Sequence, residues 1–258
     1  MHPLSVVIIT KNEALNISRC LESVKDIADE IVVVDGFSTD KTAEISKSYG
    51  HKVILNEFKG YGDQKQFAVD QAKNDWVLSI DADETVTDEL KNEINLLFRT
   101  GNEGGNDQLL EINGYYIPFS MFFMGRIMKH SGLGNEFHLR LFNRTKGGFT
   151  RSEVHESIEV EGDKKKLSGK IIHRSYRDIA HHLEKINIYT TQASEEYTKN
   201  KRRFGKWWVA LKFPVTFFTF YIIRRGFLDG YPGFMWAFMA AFYTSMKIAK
   251  TIEIQKSR

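Results

Sequence analysis

A single cysteine in 258 residues, Cys20, leaves no partner for an internal disulfide and no multi-cysteine zinc site, and such usage fits a reducing compartment. No Gly-x-Gly-x-x-Gly opens the first helical pattern and no Gly-x-x-x-x-Gly-Lys-Ser/Thr occurs, which disfavours a standard dinucleotide fold and a P-loop. The start of the chain has no basic stretch, and its apolar run, Leu4 to Ile9, is six residues long, too short for a signal-peptide core, so secretion is not expected. No internal repeat or low-complexity tract is present. With 42% hydrophobic and 27% charged residues the chain is neither disordered nor fibrous, and its length suits one large domain or one domain with an appendage.

What is present is divided unevenly. Residues 1–198 hold 24 Lys/Arg against 31 Asp/Glu, a balance of −7, whereas residues 199–258 hold 12 against 2, a balance of +10. The same C-terminal stretch is aromatic: 15 of the 33 Phe, Trp and Tyr residues lie between Phe204 and Tyr243, and no acidic residue occurs from Tyr197 to Leu228. A basic and aromatic segment suits an anionic membrane or a nucleic acid, and its dense apolar content argues against the nucleic acid.

The first hundred residues alternate strand and helix patterns, the mark of a mostly parallel α/β sheet with crossover helices. Leu4 to Thr10, Glu30 to Val34, Lys52 to Asn56 and Trp76 to Ile80 read as strands. Leu15, Cys20, Leu21 and Val24 lie along one helical stripe; Lys41 to Gly50 and Gln64 to Lys73 read as further helices. Strands are expected near Gly114 to Pro118 and His138 to Asn143, and a long helix from Asp178 to about Asn200. Open sheets of this kind take ligands at the carboxyl ends of their strands. There the sequence places Thr10-Lys11-Asn12-Glu13, then Asp35-Gly36-Phe37-Ser38-Thr39-Asp40, then Asp81-Ala82-Asp83-Glu84.

Two carboxylates two residues apart at a strand mouth, Asp81 and Asp83, suit one hard divalent cation, Mn2+ or Mg2+, that also touches phosphate oxygens. The same pair also reads as a solvated acidic turn before the helix from Thr87. Asp35 directly follows an apolar strand and can accept hydrogen bonds from a base or ribose. Asp40 or Thr39 is better placed to cap the following helix, which leaves Asp35 for a ligand. Arg140 and Arg144 read either as contacts for acidic groups on an acceptor or as ordinary surface charges.

The segments Val6 to Glu13, Val32 to Thr42 and Ile80 to Glu84, in this order and spacing, resemble the family 2 inverting glycosyltransferases of GT-A fold, a Rossmann-like, mostly parallel sheet. Arg140-Leu141-Phe142, Val154-His155-Glu156, His173 and Gly226 to Gly230 resemble the branch containing bacterial lipopolysaccharide core β-1,4-glucosyltransferases. The resemblance implies that Thr10, Asn12, Glu13, Asp35 and Lys65 line the nucleotide-sugar pocket and that Asp81 and Asp83 meet metal and diphosphate; His173 reads either as a further contact to metal or diphosphate or as a buried, hydrogen-bonded histidine. It also places Glu156 on the acceptor side as catalytic base, with Glu153 as runner-up, and counts Asp83 among the catalytic residues; the competing interpretation of His155-Glu156 is a cross-strand or surface pair. Phe37 departs from the family, many of whose members have Ser after the Asp-Gly, and this puts the roles of Ser38 and Asp40 in doubt.

The implied organisation is a GT-A domain over residues 1–198, with a nucleotide-sugar half at 1–110 and an acceptor half at 111–198, followed by a helical, membrane-associated segment at 199–258. Within it Trp207 to Ile223 is seventeen residues long and broken by Lys212 and Pro214, which fits an interfacial helix or hairpin better than a span. A buried core helix is the competing interpretation. The expected activity is transfer of a hexose, glucose in the first instance, from a UDP-sugar to a saccharide acceptor of a lipid-linked glycan in lipopolysaccharide core or surface polysaccharide synthesis. The expected location is peripheral, on the cytoplasmic face of the cell membrane. The alternatives are a polyprenyl-phosphate glycosyltransferase and a non-catalytic nucleotide-binding membrane adaptor.

Overall fold

The computed structural model describes residues 2–99, 112–134, 136–150 and 157–256. Two compact units emerge, one of Met1–Phe119 with Glu136–His173 and one of Ser120–Asn135 with Arg174–Arg258.

The first unit is built on β1 (Leu4–Thr10), β2 (Glu30–Asp35), β3 (Lys52–Leu55) and β4 (Trp76–Asp81), parallel strands in the order β3-β2-β1-β4. All seven residues of β1 are buried, as a strand covered on both faces requires. Its side chains alternate between two layers. Leu4, Val6 and Ile8 meet α1 (Ile17–Val24) and α4 (Asp88–Phe98), whereas Val7 and Ile9 meet Ala68, Val69 and Ala72 at the end of α3 (Tyr61–Asp70) and just beyond. Helix α2 (Thr42–Ser48) follows β2. The four strands lie where the sequence pattern put them, because period-2 burial is what that pattern encodes; among the helices, α3 starts and ends three residues earlier than Gln64 to Lys73, and Leu15, assigned to the first helical stripe, precedes α1 and is exposed.

Beyond β4 the sheet turns antiparallel. The short strand β5 (Glu84–Val86) pairs with β12 (Ile171–His173), and β8 (Glu136–Asn143) lies between β4 and β6 (Ile112–Phe123). Strands β9 (Gly147–Phe149) and β10 (Ile158–Val160) form a separate antiparallel pair. Strand β11 (Asp163–Lys166) pairs in parallel with β6.

In the second unit β7 (Arg126–Ile127) pairs back on the end of β6. Helix α5 (Ile179–Lys199) starts where Asp178 Oδ1 accepts the His181 N–H at 2.7 Å. The sequence grouped this helix with residues 1–198; it packs within the second unit against α7 (Gly230–Lys256). Small residues are buried on both helices, Thr190 and Ser194 on α5 and Ala237 and Ala241 on α7. Between them run α6 (Trp207–Phe218), a π-helical turn (Thr219–Ile223) and a short 3-10 turn (Gly226–Asp229). Among the described residues, no helix is long and apolar enough to cross a membrane.

Candidate functional site

Register is what assembles the site. Thr10 pairs with Asp35 across β1 and β2, and Ile9 pairs with Asp81 across β1 and β4, so the last residues of three adjacent strands reach one edge together. Each brings an oxygen without a hydrogen-bond partner: Thr10 Oγ1, Asp35 Oδ2 and Asp81 Oδ1 are buried and unsatisfied. Buried polar atoms are nearly always paired, so three orphans on neighbouring strand ends mark a place where a ligand supplies donors or a cation.

The loops behind this edge tie to one another. Asp35 Oδ1 accepts the Ser38 N–H at 2.7 Å, Asn12 N–H donates to Ser38 Oγ at 2.8 Å, and Asn12 Oδ1 accepts the Thr39 N–H at 2.8 Å. Asn12 takes φ 56° and Phe37 φ 60°, both in the left-handed region. The Glu13 N–H donates to Thr42 Oγ1 at 2.8 Å, and Glu13 Oε2 accepts from Asn16 Nδ2 at 2.7 Å. Ser38 and Asp40, whose roles the Phe37 departure put in doubt, hold these loops: Asp40 accepts main-chain N–H groups of Ala14 at 3.2 Å and Thr42 at 3.0 Å.

At the end of β4 the charges interlock. Lys65, only 4% exposed, sets its Nζ 3.2 Å from Asp81 Oδ2, and Arg140 Nη2 lies 3.5 Å from the same oxygen. Burial pushes the Asp81 carboxyl up, but these two cations more than reverse it, and its pKa falls to about 2. Asp81 is therefore an anion throughout the physiological range. Pairing of β5 with β12 sets His173 opposite Glu84 and brings its Nε2 3.1 Å from Asp83 Oδ2. Burial works against protonation of His173, yet the hydrogen bond and charge of Asp83 raise its pKa.

Sequence reasoning assigned no role to Glu84. It is 1% exposed, accepts the Asp81 N–H on Oε2 at 2.8 Å and takes Arg140 Nη2 on Oε1 at 3.0 Å. The signal is the third acid in Asp81-Ala82-Asp83-Glu84, two residues before the buried Val86. Arg140, read from the sequence as an acceptor contact or a surface charge, turns onto these carboxylates, and Arg144 Nε donates to the Asn74 carbonyl at 2.8 Å. Cys20 is buried beneath the site, its thiol 3.6 Å from the Asp81 carbonyl; burial and the nearby Glu84, Asp83 and Asp81 charges push its pKa up, so it is no nucleophile. Glu153, His155 and Glu156 lie outside the described residues.

Among the described residues no group of three His, Cys, Asp or Glu side chains is placed to hold a metal ion. The residues present still fit a cation shared with a ligand. The unsatisfied Oδ1 of Asp81 is a hard anionic oxygen, Asp83 follows two residues later, and Mg2+-type ions are commonly held by one or two carboxylates plus substrate phosphates.

The sequence profile of glycosyl transferase family 2 matches residues 5–107. An uncharacterized glycosyltransferase of Rickettsia typhi is 34% identical over 268 residues, covering 100% of this chain and 90% of the relative. The lipopolysaccharide core biosynthesis glycosyltransferase LpsC of Rhizobium meliloti is 29% identical over 255 residues, covering 96% of this chain and 91% of its own. Among solved structures, the mannosyltransferase PcManGT of Pyrobaculum calidifontis, in complex with GDP-Man and Mn2+, shares the fold at a TM-score of 0.52 and 15% identity, covering 98% of this chain and 88% of that one.

Proposed function

The chain belongs to glycosyl transferase family 2, and from that premise we propose that it moves a hexose, glucose in the first instance, from a UDP-sugar to a saccharide acceptor of a lipid-linked glycan, with inversion at the anomeric carbon. The observation that carries the donor half of this reading is the trio of buried, unsatisfied oxygens on Thr10, Asp35 and Asp81. Asp35 Oδ2 accepts from the uracil or ribose. Asp81 and Asp83 hold a divalent cation whose charge, when bound, offsets that of the diphosphate. Lys65 and Arg140 keep Asp81 ionised and bring positive charge to the same edge.

On the acceptor side Glu156 takes the hydroxyl proton. As it does, the acceptor oxygen bonds to the anomeric carbon on the face opposite the diphosphate, the carbon–oxygen bond to the diphosphate breaks, and the electron pair leaves with UDP. The acceptor class rests on the likeness to a lipopolysaccharide core enzyme over nearly the whole chain. On this reading the enzyme works at the inner face of the cell membrane, where a lipid-linked acceptor resides.

A thermal-shift panel of UDP-, GDP- and ADP-sugars, each with and without manganese, tests the donor. UDP-glucose with manganese should give the largest stabilisation. Equal shifts for all nucleotides, or none with manganese, would remove the assignment.

A further inference from the structure

Helix α6 buries none of its residues, although it is among the most apolar segments of the chain. Trp207, Leu211, Val215, Phe218 and Ile222 recur every three or four positions and are all exposed, Trp207 at 58% and Phe218 at 54%. At helical spacing this is one continuous stripe, running from α6 into the π-helical turn. The π-helical turn itself adds Ile223, 65% exposed, and the 3-10 turn that follows adds exposed Phe227 and Leu228.

The opposite side of α6 is used. Phe213 meets Phe238 of α7 at 5.5 Å between ring centroids, Phe217 meets Phe234 at 5.5 Å, and Tyr221 meets Phe234 at 5.8 Å. The hairpin therefore has its inner face satisfied and its outer face bare. Single exposed apolar residues need no explanation, but a contiguous patch of this size does.

Charge identifies the occupant. From Lys199 to Leu228 there are eight Lys/Arg and no Asp or Glu. Lys201, Arg202, Arg203 and Lys206 precede the stripe, and Arg224 and Arg225 follow its helical part, between Ile223 and Phe227. Lys212, on the helix itself, folds back over the Trp208 ring at 5.4 Å and does not interrupt the apolar line. An apolar and aromatic stripe bounded at both ends by cations matches the cross-section of an anionic bilayer surface, where rings lie at headgroup depth and basic side chains meet lipid phosphates.

We propose that the outer face of α6 and the turn after it form an in-plane membrane-docking surface, with Trp207, Leu211, Val215, Phe218 and Ile222 entering the headgroup boundary of an anionic bilayer. This deepens the reading of a membrane-lipid acceptor and rests on it only for why the enzyme is there; the surface can be tested with no sugar present.

The full chain is mixed at low salt with sedimentable vesicles of phosphatidylglycerol and phosphatidylcholine, or of phosphatidylcholine alone, and the bound fraction is measured alongside the oligomeric state in solution. The wild type should bind the mixed vesicles at least tenfold better than the neutral ones, and binding should weaken as salt rises. Trp207→Ser with Phe218→Ser should abolish retention, and Arg203→Gln with Lys206→Gln should weaken it by about tenfold. The altered side chains are exposed, and an unchanged thermal midpoint verifies that the fold survives. Wild-type protein that ignores anionic vesicles, or variants that bind as the wild type does, would overturn the proposal. So would a wild-type dimer that the serine pair converts to monomer without any vesicle binding, since the stripe would then join two copies of this chain. UDP-sugar hydrolysis by the serine pair, measured without vesicles, keeps this outcome separate from failure of the catalytic reading.

Discussion

The main-chain N–H of Asp81 donates to Glu84 Oε2 at 2.8 Å, so the acid three residues on holds the first carboxylate of the pair in place. The other Glu84 oxygen takes Arg140. Burial pushes the Glu84 carboxyl up to about 7, with the Arg140 charge acting against that rise and the Asp81 charge adding to it. Glu84→Gln keeps the shape but frees Arg140 to lean fully on Asp81. We expect a loss of about 1–3 kcal/mol in chemical denaturation and at least tenfold weaker UDP binding by calorimetry. Unchanged values for both would mean that Glu84 neither supports the fold nor positions Asp81.

The four parallel strands and their helices were legible because each carries its own periodicity, and the ligand edge was legible because polar runs follow those strands directly. Glu84 and Arg140 were not. Their meeting depends on β8 lying antiparallel beside β4, and nothing local in either segment announces that pairing. The side chain of Arg140 reads as a surface charge until the sheet order is known. Likewise, the pattern of α5 identified a helix but not its neighbour, since small residues such as Thr190 and Ser194 announce close approach only when the facing helix is in view.

Asp35 divides its two oxygens between loop and ligand: Oδ1 accepts the Ser38 N–H, and Oδ2 is buried without a partner. Asp35→Ala should therefore weaken UDP binding by about tenfold or more, with some loss of stability as the Ser38 N–H loses its acceptor. Asp35→Asn can still accept from Ser38 through its carbonyl oxygen, so its stability should recover more than its affinity. Calorimetric titration with UDP, GDP and ADP checks this, and equal recovery of both would assign Asp35 to the loop alone.

Asp83 should act through the metal. Asp83→Ala removes one carboxylate of the pair and releases His173, so manganese should no longer increase the affinity for UDP, while affinity without metal changes by less than about threefold. Titrations with manganese, magnesium and chelator distinguish the cases. A full manganese response in the variant would remove Asp83 from the metal site.

Glu156→Gln should lower kcat by a factor on the order of 10² or more with nearly normal donor affinity, because a general base acts in the transition state and not in the bound ground state. Glu153→Gln should be milder. Steady-state rates paired with UDP titration report both quantities, and a reversed order of the two effects would transfer the role to Glu153.

His182 should make the second unit acid-sensitive. It is buried against Tyr176, with ring centroids 3.8 Å apart, and lies edge-on to Phe123 at 5.6 Å. Burial, followed by the charges of Lys185 and His181, lowers its pKa from 6.5 to about 4. Folded protein thus keeps His182 neutral down to about pH 4, while the unfolded chain binds a proton near 6.5. Between these values the unfolded state holds more protons, so this contribution is fully present above the unfolded value and is lost as pH falls through the window. His182→Phe preserves an aromatic ring and deletes the titration. The drop in Tm from neutral to acid pH should be shallower in the variant than in the wild type, whatever the offset between them at pH 7. Parallel slopes across the window would show that the acid sensitivity arises from other groups.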